Sequence, residues 1–435
     1  MFLYNLKLGI KSIGRNPIMS SLMVLAIALG IGACMTTVTV FYMMDANPNT
    51  AKNDVLYVVQ PDSWSPEESY DDNDEPPPQL TYNDAMALMT DKKGLRQSAM
   101  VKNNQIIQPE DSTQVPFYAA GRANFKDFFQ MFSTTFKYGS AWTDADDANS
   151  LNVVVLNESL NEQVFGGEDS VGKQINMGNK FYTVVGVLNK FNPQPRYYDL
   201  TNENFADAAE FFMPFNTMIT HKIRRDGNTS CWENSGPTYE EFLNSRCIWI
   251  QFWVELESAS QRQQYLEYLN AYIDEKYHPE NYPRKVNSKI RNIQEWLDFN
   301  QVVGDDAQVQ LGLAFMFLIV CLLNTLGLLL AKFLGKSPEI GLRRALGATR
   351  SVLFTQHIIE SGLIGVIGGL GGLLMAFLGL YAVNNLYDGF DELATMDWLM
   401  VSLTILLSII ATVLAGLYPT WRTCHVAPAG QLKTQ

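Results

Sequence analysis

The chain has 435 residues, 47% of them hydrophobic and 18% charged, and its near-zero mean hydropathy conceals a sharp segregation of apolar from polar stretches. That segregation excludes both an ordinary soluble enzyme and a carrier built only of spans. The net charge of −13 excludes a nucleic-acid partner.

Residues 1–16 place Leu3, Leu6, Ile10 and Ile13 on one side and Lys7, Lys11 and Arg15 on others, which predicts an amphipathic helix on the inner leaflet, in contact with membrane lipid. Four apolar runs, 17–44, 308–332, 351–383 and 398–419, are long enough to cross a bilayer. The first lacks a small-residue cleavage site and reads as a retained anchor. Basic residues set the orientation. Lys7, Lys11 and Arg15 precede span one, Lys332, Lys336, Arg343, Arg344 and Arg350 lie between spans two and three, and Arg422 and Lys433 follow span four. The link between spans three and four, NNLYDGFDELATMD, has acids and no Lys or Arg. Both termini, the 333–350 loop and the 420–435 tail are therefore expected in the cytoplasm, with residues 45–305 and the 384–397 link outside.

The outer region begins with a strand signal, DVLYVVQ, and continues with an acidic, proline-rich stretch near residues 63–79 that reads as a solvated spacer. A short helix at Thr81 to Met89 and a strand at Ser98 to Ile107 follow. From Gln114 the pattern turns to short strands, and after residue 245 IWIQFWVEL reads as a strand, SASQRQQYLEYLNAYIDEKY as a helix and RKVNSKIRNI as a strand. The predicted fold class is a membrane α-helical protein of four transmembrane helices plus an α+β extracytoplasmic domain. That domain is made of two mixed α/β subdomains, the second, about 110–245, inserted in the first. Cys34 and Cys321 sit in spans and Cys424 in the inner tail, which leaves Cys231 and Cys247 as the outer pair. They are expected to form a disulfide, worth roughly 3 kcal/mol through loop entropy.

Between spans two and three, KSPEIGLRRALGATR reads as a short helix with Ser337 as N-cap, Pro338 at the first helical position and Gly347 at the left-handed end. Glu339 and Arg343 stand i,i+4 in the favourable order. A helix of this length spans only about 14 Å, too short to cross a bilayer. In span three, Gly365 with Gly369 and Gly368 with Gly372 are i,i+4 pairs suited to close helix packing, with the partner helix either in this chain or in a second one. His357 and Glu360 share a face near the start of that span and read as a structural polar pair. The last span is expected to break at Pro419, with Trp421 and Arg422 at headgroup level.

EIGLRRALGATR followed by SVLFTQHIIESG resembles the cytoplasmic loop of MacB/FtsX-type ABC transporter permeases. QVPFYAAGRANFKDFFQMF, LNVVVLNESLNEQVFGGEDSVGKQINMGNKFYTVVGVLNKF and AEFFMPFNTM resemble, in order, landmarks of the MacB-like periplasmic domain, and YPTWR resembles the family's closing landmarks. The resemblance implies a multi-pass protein of the bacterial inner membrane whose outer domain is periplasmic. It implies a separate ABC ATPase docked on Glu339, Ile340, Gly341, Leu342, Arg343, Arg344, Ala345, Leu346 and Gly347, with Ile340, Leu342 and Leu346 as the apolar contacts. It further implies a second permease chain, as homodimer or heterodimer, a periplasmic adaptor and a TolC-like outer-membrane channel. The implied activity is mechanotransmission that drives export of a periplasmic substrate. A lipoprotein-releasing permease and an FtsX-like regulator of cell-wall hydrolases share the topology and stay open as alternatives.

Two near matches to a phosphate loop fail. Gly167 to Gln174 has Gln174 where magnesium needs Ser or Thr, and Gly335-Lys336-Ser337 has Leu330 where the pattern needs Gly. ATP and magnesium are therefore expected on the partner ATPase, with no enzyme activity and no cofactor on this chain. Four scattered histidines and the absence of CxxC argue against a metal site.

Overall fold

The apolar runs form four helices long and apolar enough to cross a membrane: Pro17–Met44, Asp305–Gly335, Arg350–Leu386 and Trp398–Cys424. They belong to a computed structural model that describes residues 2–65, 67–109, 115–277, 285–386 and 398–424. Most of the acidic link after span three, the tail with Lys433, and Gln114 lie outside the described residues. The chain divides into two units, Met1–Asp45 with Val303–Gln435, and Ala46–Val302.

In the first unit, span three packs against spans one and four, and span two against spans one and four. Four glycines of span three make this possible, because a side chain at any of these four would collide. A Cβ on Gly365 would lie 2.1 Å from Thr412 Oγ1 and one on Gly369 2.8 Å from Ser408 Oγ, both in span four. A Cβ on Gly368 would lie 2.7 Å from Ile27 and one on Gly372 2.8 Å from Ile31, both in span one. Each i,i+4 pair thus receives a different helix of the same chain. Span four does not break at Pro419 but runs on to Cys424, which places Cys424 in the helix rather than in a tail. The proline forfeits one backbone bond, yet it is buried among other helices and its carbonyl still accepts a bond from Thr423 Oγ1 at 2.6 Å.

The N-terminal helix, Phe2–Arg15, packs on span three through Asn5, Gly9 and Ser12. Gly9 permits the approach, since its absent Cβ would fall 2.7 Å from Leu363. Its apolar stripe is divided, with Ile10 exposed as contact with lipid requires, Leu6 half-buried and Ile13 packed against the core of the spans.

The second unit is built on one mixed sheet. Its strands are β1 (Leu56–Gln60), β2 (Arg96–Gln108), β3 (Phe117–Asn124), β4 (Phe136–Gly139), β5 (Val153–Leu156), β6 (Gln174–Met177), β7 (Lys180–Leu188) and β8 (Phe211–Pro214). A separate ribbon pairs β9 (Ser230–Cys231) with β10 (Cys247–Ile248), and β11 (Gln251–Glu255) and β12 (Lys289–Asn292) return to the main sheet. The order is β12-β1-β11-β2-β3-β8-β5-β7-β4, with β6 joining β2 and β7. The two predicted α/β subdomains, the second inserted in the first, share this one sheet. Segment 117–214 does supply one half of the sheet and the flanking segments the other, but β2 and β3 pair over eight residues from Met100↔Asn124 to Ile107↔Phe117 and fuse the halves. At 13 residues, β2 is long enough to serve both.

Alternation along the strands gives this sheet a core on each face. Tyr57, Val59, Phe252 and Val254 enter one cluster. Leu56, Val58 and Trp253 enter the other, with Phe128, Phe132, Tyr198 and Trp296. The acidic stretch before residue 80 is only in part a solvated spacer: Glu67, Glu68, Asp72 and Asp74 are exposed, but Pro76 and Pro77 are buried and Glu75 binds Lys289 at 2.6 Å and Arg291 at 2.5 Å. Burial pushes the Glu75 carboxyl up, but the two cations outweigh it and hold it below the usual range. Cys231 and Cys247 face each other across the β9–β10 ribbon and are bonded.

Candidate coupling site between spans two and three

The connecting helix, Ser337–Ala345, begins directly after span two. Lys336, not Ser337, occupies the N-cap, and no side chain caps the first turn; Ser337 is already helical and buried. The turn between the helices is so tight that Lys336 ends one and starts the other. The C-terminal end follows the sequence expectation. Gly347 has φ +102°, its N–H donates to Arg344 at 3.1 Å, and the Ala348 N–H donates to Arg343 at 3.0 Å. This is the Schellman pattern, which only a residue free to adopt positive φ closes without strain.

The helix and the two residues that follow it present two faces. Ile340 and Gly341 turn inward, Ile340 packing with Leu353 and Cys424. Leu342, 54% exposed, and Leu346, 81% exposed, turn outward with Pro338, Ala345 and Gly347. The sequence reading of Ile340 as a surface contact is therefore corrected: it anchors the helix to the start of span three and the end of span four. Glu339 and Arg343 form the expected i,i+4 pair at 2.6 Å, Arg343 also donates to Gln356 at 3.2 Å, and Arg15 of the N-terminal helix reaches Glu339 at 3.7 Å. Arg344 is half-buried.

Behind this helix lies a buried polar cluster centred on Glu360, which is fully buried. Lys332 of span two binds it at 2.9 Å and Lys336 at 3.2 Å. Ser12 of the N-terminal helix donates to the same carboxylate and accepts from Lys336. Lys332 also donates to Ser20 of span one at 3.2 Å. His357 stands with Nδ1 3.7 Å from Glu360 and its ring 4.3 Å from Phe333. The expected His357–Glu360 pair is thus one edge of a wider network that joins the N-terminal helix to spans one, two and three. One carboxylate serving two ammonium groups at this depth is tolerable only because each charge has a partner.

Sequence reasoning read Lys332 and Lys336 as markers of orientation and missed their bond to Glu360. The available signal was their i,i+4 spacing on the face that also carries Thr325 and Leu329, buried positions of span two. Nothing in the sequence pointed to Ser12, which is 348 positions from Glu360.

Comparison with known proteins agrees with the two units. Residues 20–272 match the MacB-like periplasmic core domain, and residues 311–428 match the FtsX-like permease C-terminal domain. The chain is 21% identical over 442 residues to the uncharacterized ABC transporter permease YknZ of Bacillus subtilis, covering 99% of both chains. It is 21% identical over 433 residues to the macrolide export ATP-binding/permease protein MacB of Escherichia coli K12, covering 97% of this chain and 59% of that protein. Among solved structures, the periplasmic region of MacB from Actinobacillus actinomycetemcomitans aligns at 14% identity with a TM-score of 0.38, covering 60% of this chain and 99% of that one. Since the core-domain match alone takes in more than half of its residues, the chain belongs to the MacB/FtsX-type family of ABC transporter permeases.

Proposed function

We propose that this chain is the transmembrane subunit of an ATP-driven MacB-like transporter and receives force from a separate ABC ATPase at the connecting helix. The observation that carries this reading is the outward row Leu342, Ala345, Leu346 and Gly347 on a short helix whose opposite side is tied down. Apolar side chains exposed beside charged neighbours mark a protein contact, here of the helix-in-groove kind. Ile340 and Gly341 do not touch the partner in this arrangement; they fix the helix so that a push is not absorbed locally. Arg343 and Glu339 hold the helix against span three and the N-terminal helix, while Arg344 contributes the charged contact.

The partner hydrolyses ATP with magnesium; this chain supplies the lever. Movement of the connecting helix reaches spans one, two and three through the Glu360 cluster. Spans one and two lead directly in sequence into residues 46 and 302 of the large domain, so helix motion becomes domain motion without a substrate path through the bilayer. In this reading the protein sits in a bacterial inner membrane with both termini in the cytoplasm and pairs with a second permease chain. Its domain drives a periplasmic substrate through an adaptor and an outer-membrane channel. The test is copurification from membranes of wild type, Leu346→Asp and Leu342→Asp, with Leu95→Asp in the large domain as control. Loss of a bound nucleotide hydrolase in the first two variants only is expected. Its retention in both, or a wild-type complex without any hydrolase, would refute the reading.

A further inference from the structure

The inner side of the connecting helix borders a cleft of about 170 Å³ that its outward face does not share. Lys11 and Arg15 of the N-terminal helix, Lys336 at the junction and Arg343 of the connecting helix line it, with Glu339 and His357. Lys332 and Glu360 stand directly behind Lys336. Around this opening five Lys and Arg side chains face two carboxylates, an excess of three positive charges among these seven groups. Glu339 is shared between Arg343 at 2.6 Å and the looser Arg15 at 3.7 Å, and Glu360 is consumed by the two buried lysines. Lys11 is exposed and has no counter-ion among the described residues. Such an excess, on elements that end a membrane span, attracts an anion.

The dimensions and walls narrow the choice. The cleft is smaller than the roughly 300–1,000 Å³ of sites that enclose a whole small molecule. It therefore fits a headgroup better than a transported compound. Its wall is partly apolar, through Leu8 and Leu353, and the helix that carries Lys11 and Arg15 also presents the exposed Ile10 to lipid. An anion that arrives with acyl chains attached satisfies both the cations and the apolar stripe. We propose that this cleft binds the phosphate of an anionic phospholipid headgroup, which bridges the N-terminal helix to the connecting helix. This inference needs only the membrane-spanning reading and stands independently of ATPase docking.

The experiment is native mass spectrometry of the full chain released from mixed micelles, with phosphatidylglycerol or phosphatidylcholine as probe, for wild type and the double variant Lys11→Gln/Arg15→Gln. Both side chains are on exposed positions, so the fold should persist, and circular dichroism checks this. Wild type should retain phosphatidylglycerol over phosphatidylcholine. A cation near a lipid surface contributes a factor of about five, so the double variant should retain about thirtyfold less phosphatidylglycerol. Arg15→Gln alone should show the intermediate loss. Equal retention of the two lipids, or undiminished phosphatidylglycerol on the double variant, overturns the proposal. Displacement of phosphatidylglycerol by millimolar inorganic phosphate would make the cleft a site for free phosphate and overturn the lipid assignment.

Discussion

Removing the negative charge at position 360 should loosen the whole membrane unit. In Glu360→Gln the amide replaces the carboxylate that Lys332, fully buried, and Lys336, 19% exposed, both address. Breaking a buried pair by deleting one partner costs about 3–5 kcal/mol, because the remaining charge is left uncompensated. Taking about 2–4 °C per kcal/mol for a unit of this size, the unfolding midpoint should fall by roughly 6–20 °C. The assay is thermal unfolding of the detergent-purified chain, followed by tryptophan fluorescence. A second substitution separates charge from packing. Lys332→Met in the Glu360→Gln background removes the deeper orphaned ammonium, while Lys336 still borders the cleft. The double variant should therefore melt higher than Glu360→Gln alone, even though it lacks more native bonds. Non-additivity of about 0.5–3 kcal/mol is the range for groups in one network. A midpoint within a degree or two of wild type for Glu360→Gln, or a double variant less stable than the single, would refute the argument that this cluster is held by charge balance.

Glycine positions give a paired prediction by the same assay. Gly372→Ala drives a methyl against Ile31 at 2.8 Å and should cost about 1–3 kcal/mol, whereas Gly327→Ala in span two meets no atom within 4 Å and should be neutral or slightly stabilising. In the large domain, burial pushes the Asp147 carboxyl up to about 7. A raised folded-state pKa means the folded form holds the proton more tightly, so this contribution to stability is full below about pH 4 and is lost as pH rises to about 7. Domain unfolding should accordingly show a decline of a few kcal/mol over that window that Asp147→Asn removes; an unchanged slope in the variant would exclude Asp147 as its source. Leu346→Asp should abolish copurification of the nucleotide hydrolase without changing the unfolding midpoint, because its side chain is 81% exposed and supports nothing inside the chain.

What was readable from residue order is what depends on short-range periodicity. Twenty or more apolar residues in a row specify a spanning helix whatever surrounds it, and Gly347 closes the connecting helix through a bond pattern only a few residues long. The i,i+4 glycines and the Glu339–Arg343 pair are equally local. The order of strand and helix signals in the large domain, with the landmark blocks at 114–218, likewise carried the family resemblance.

Tertiary structure decided everything that depends on which distant segments meet. The length of β2 merged two expected subdomains into one sheet, Lys289 and Arg291 drew Glu75 and its acidic loop onto the domain, and neighbouring helices let Pro419 remain inside span four. Ile340 is apolar like Leu342 and Leu346, yet only the packing of Leu353 and Cys424 turns it inward and leaves the two leucines facing out. Ser12, Ser20, Lys332, Lys336 and Glu360 are unremarkable one by one; they become a site because folding buries Glu360 and Lys332 where four helices meet, so their charges find partners across the chain instead of in water.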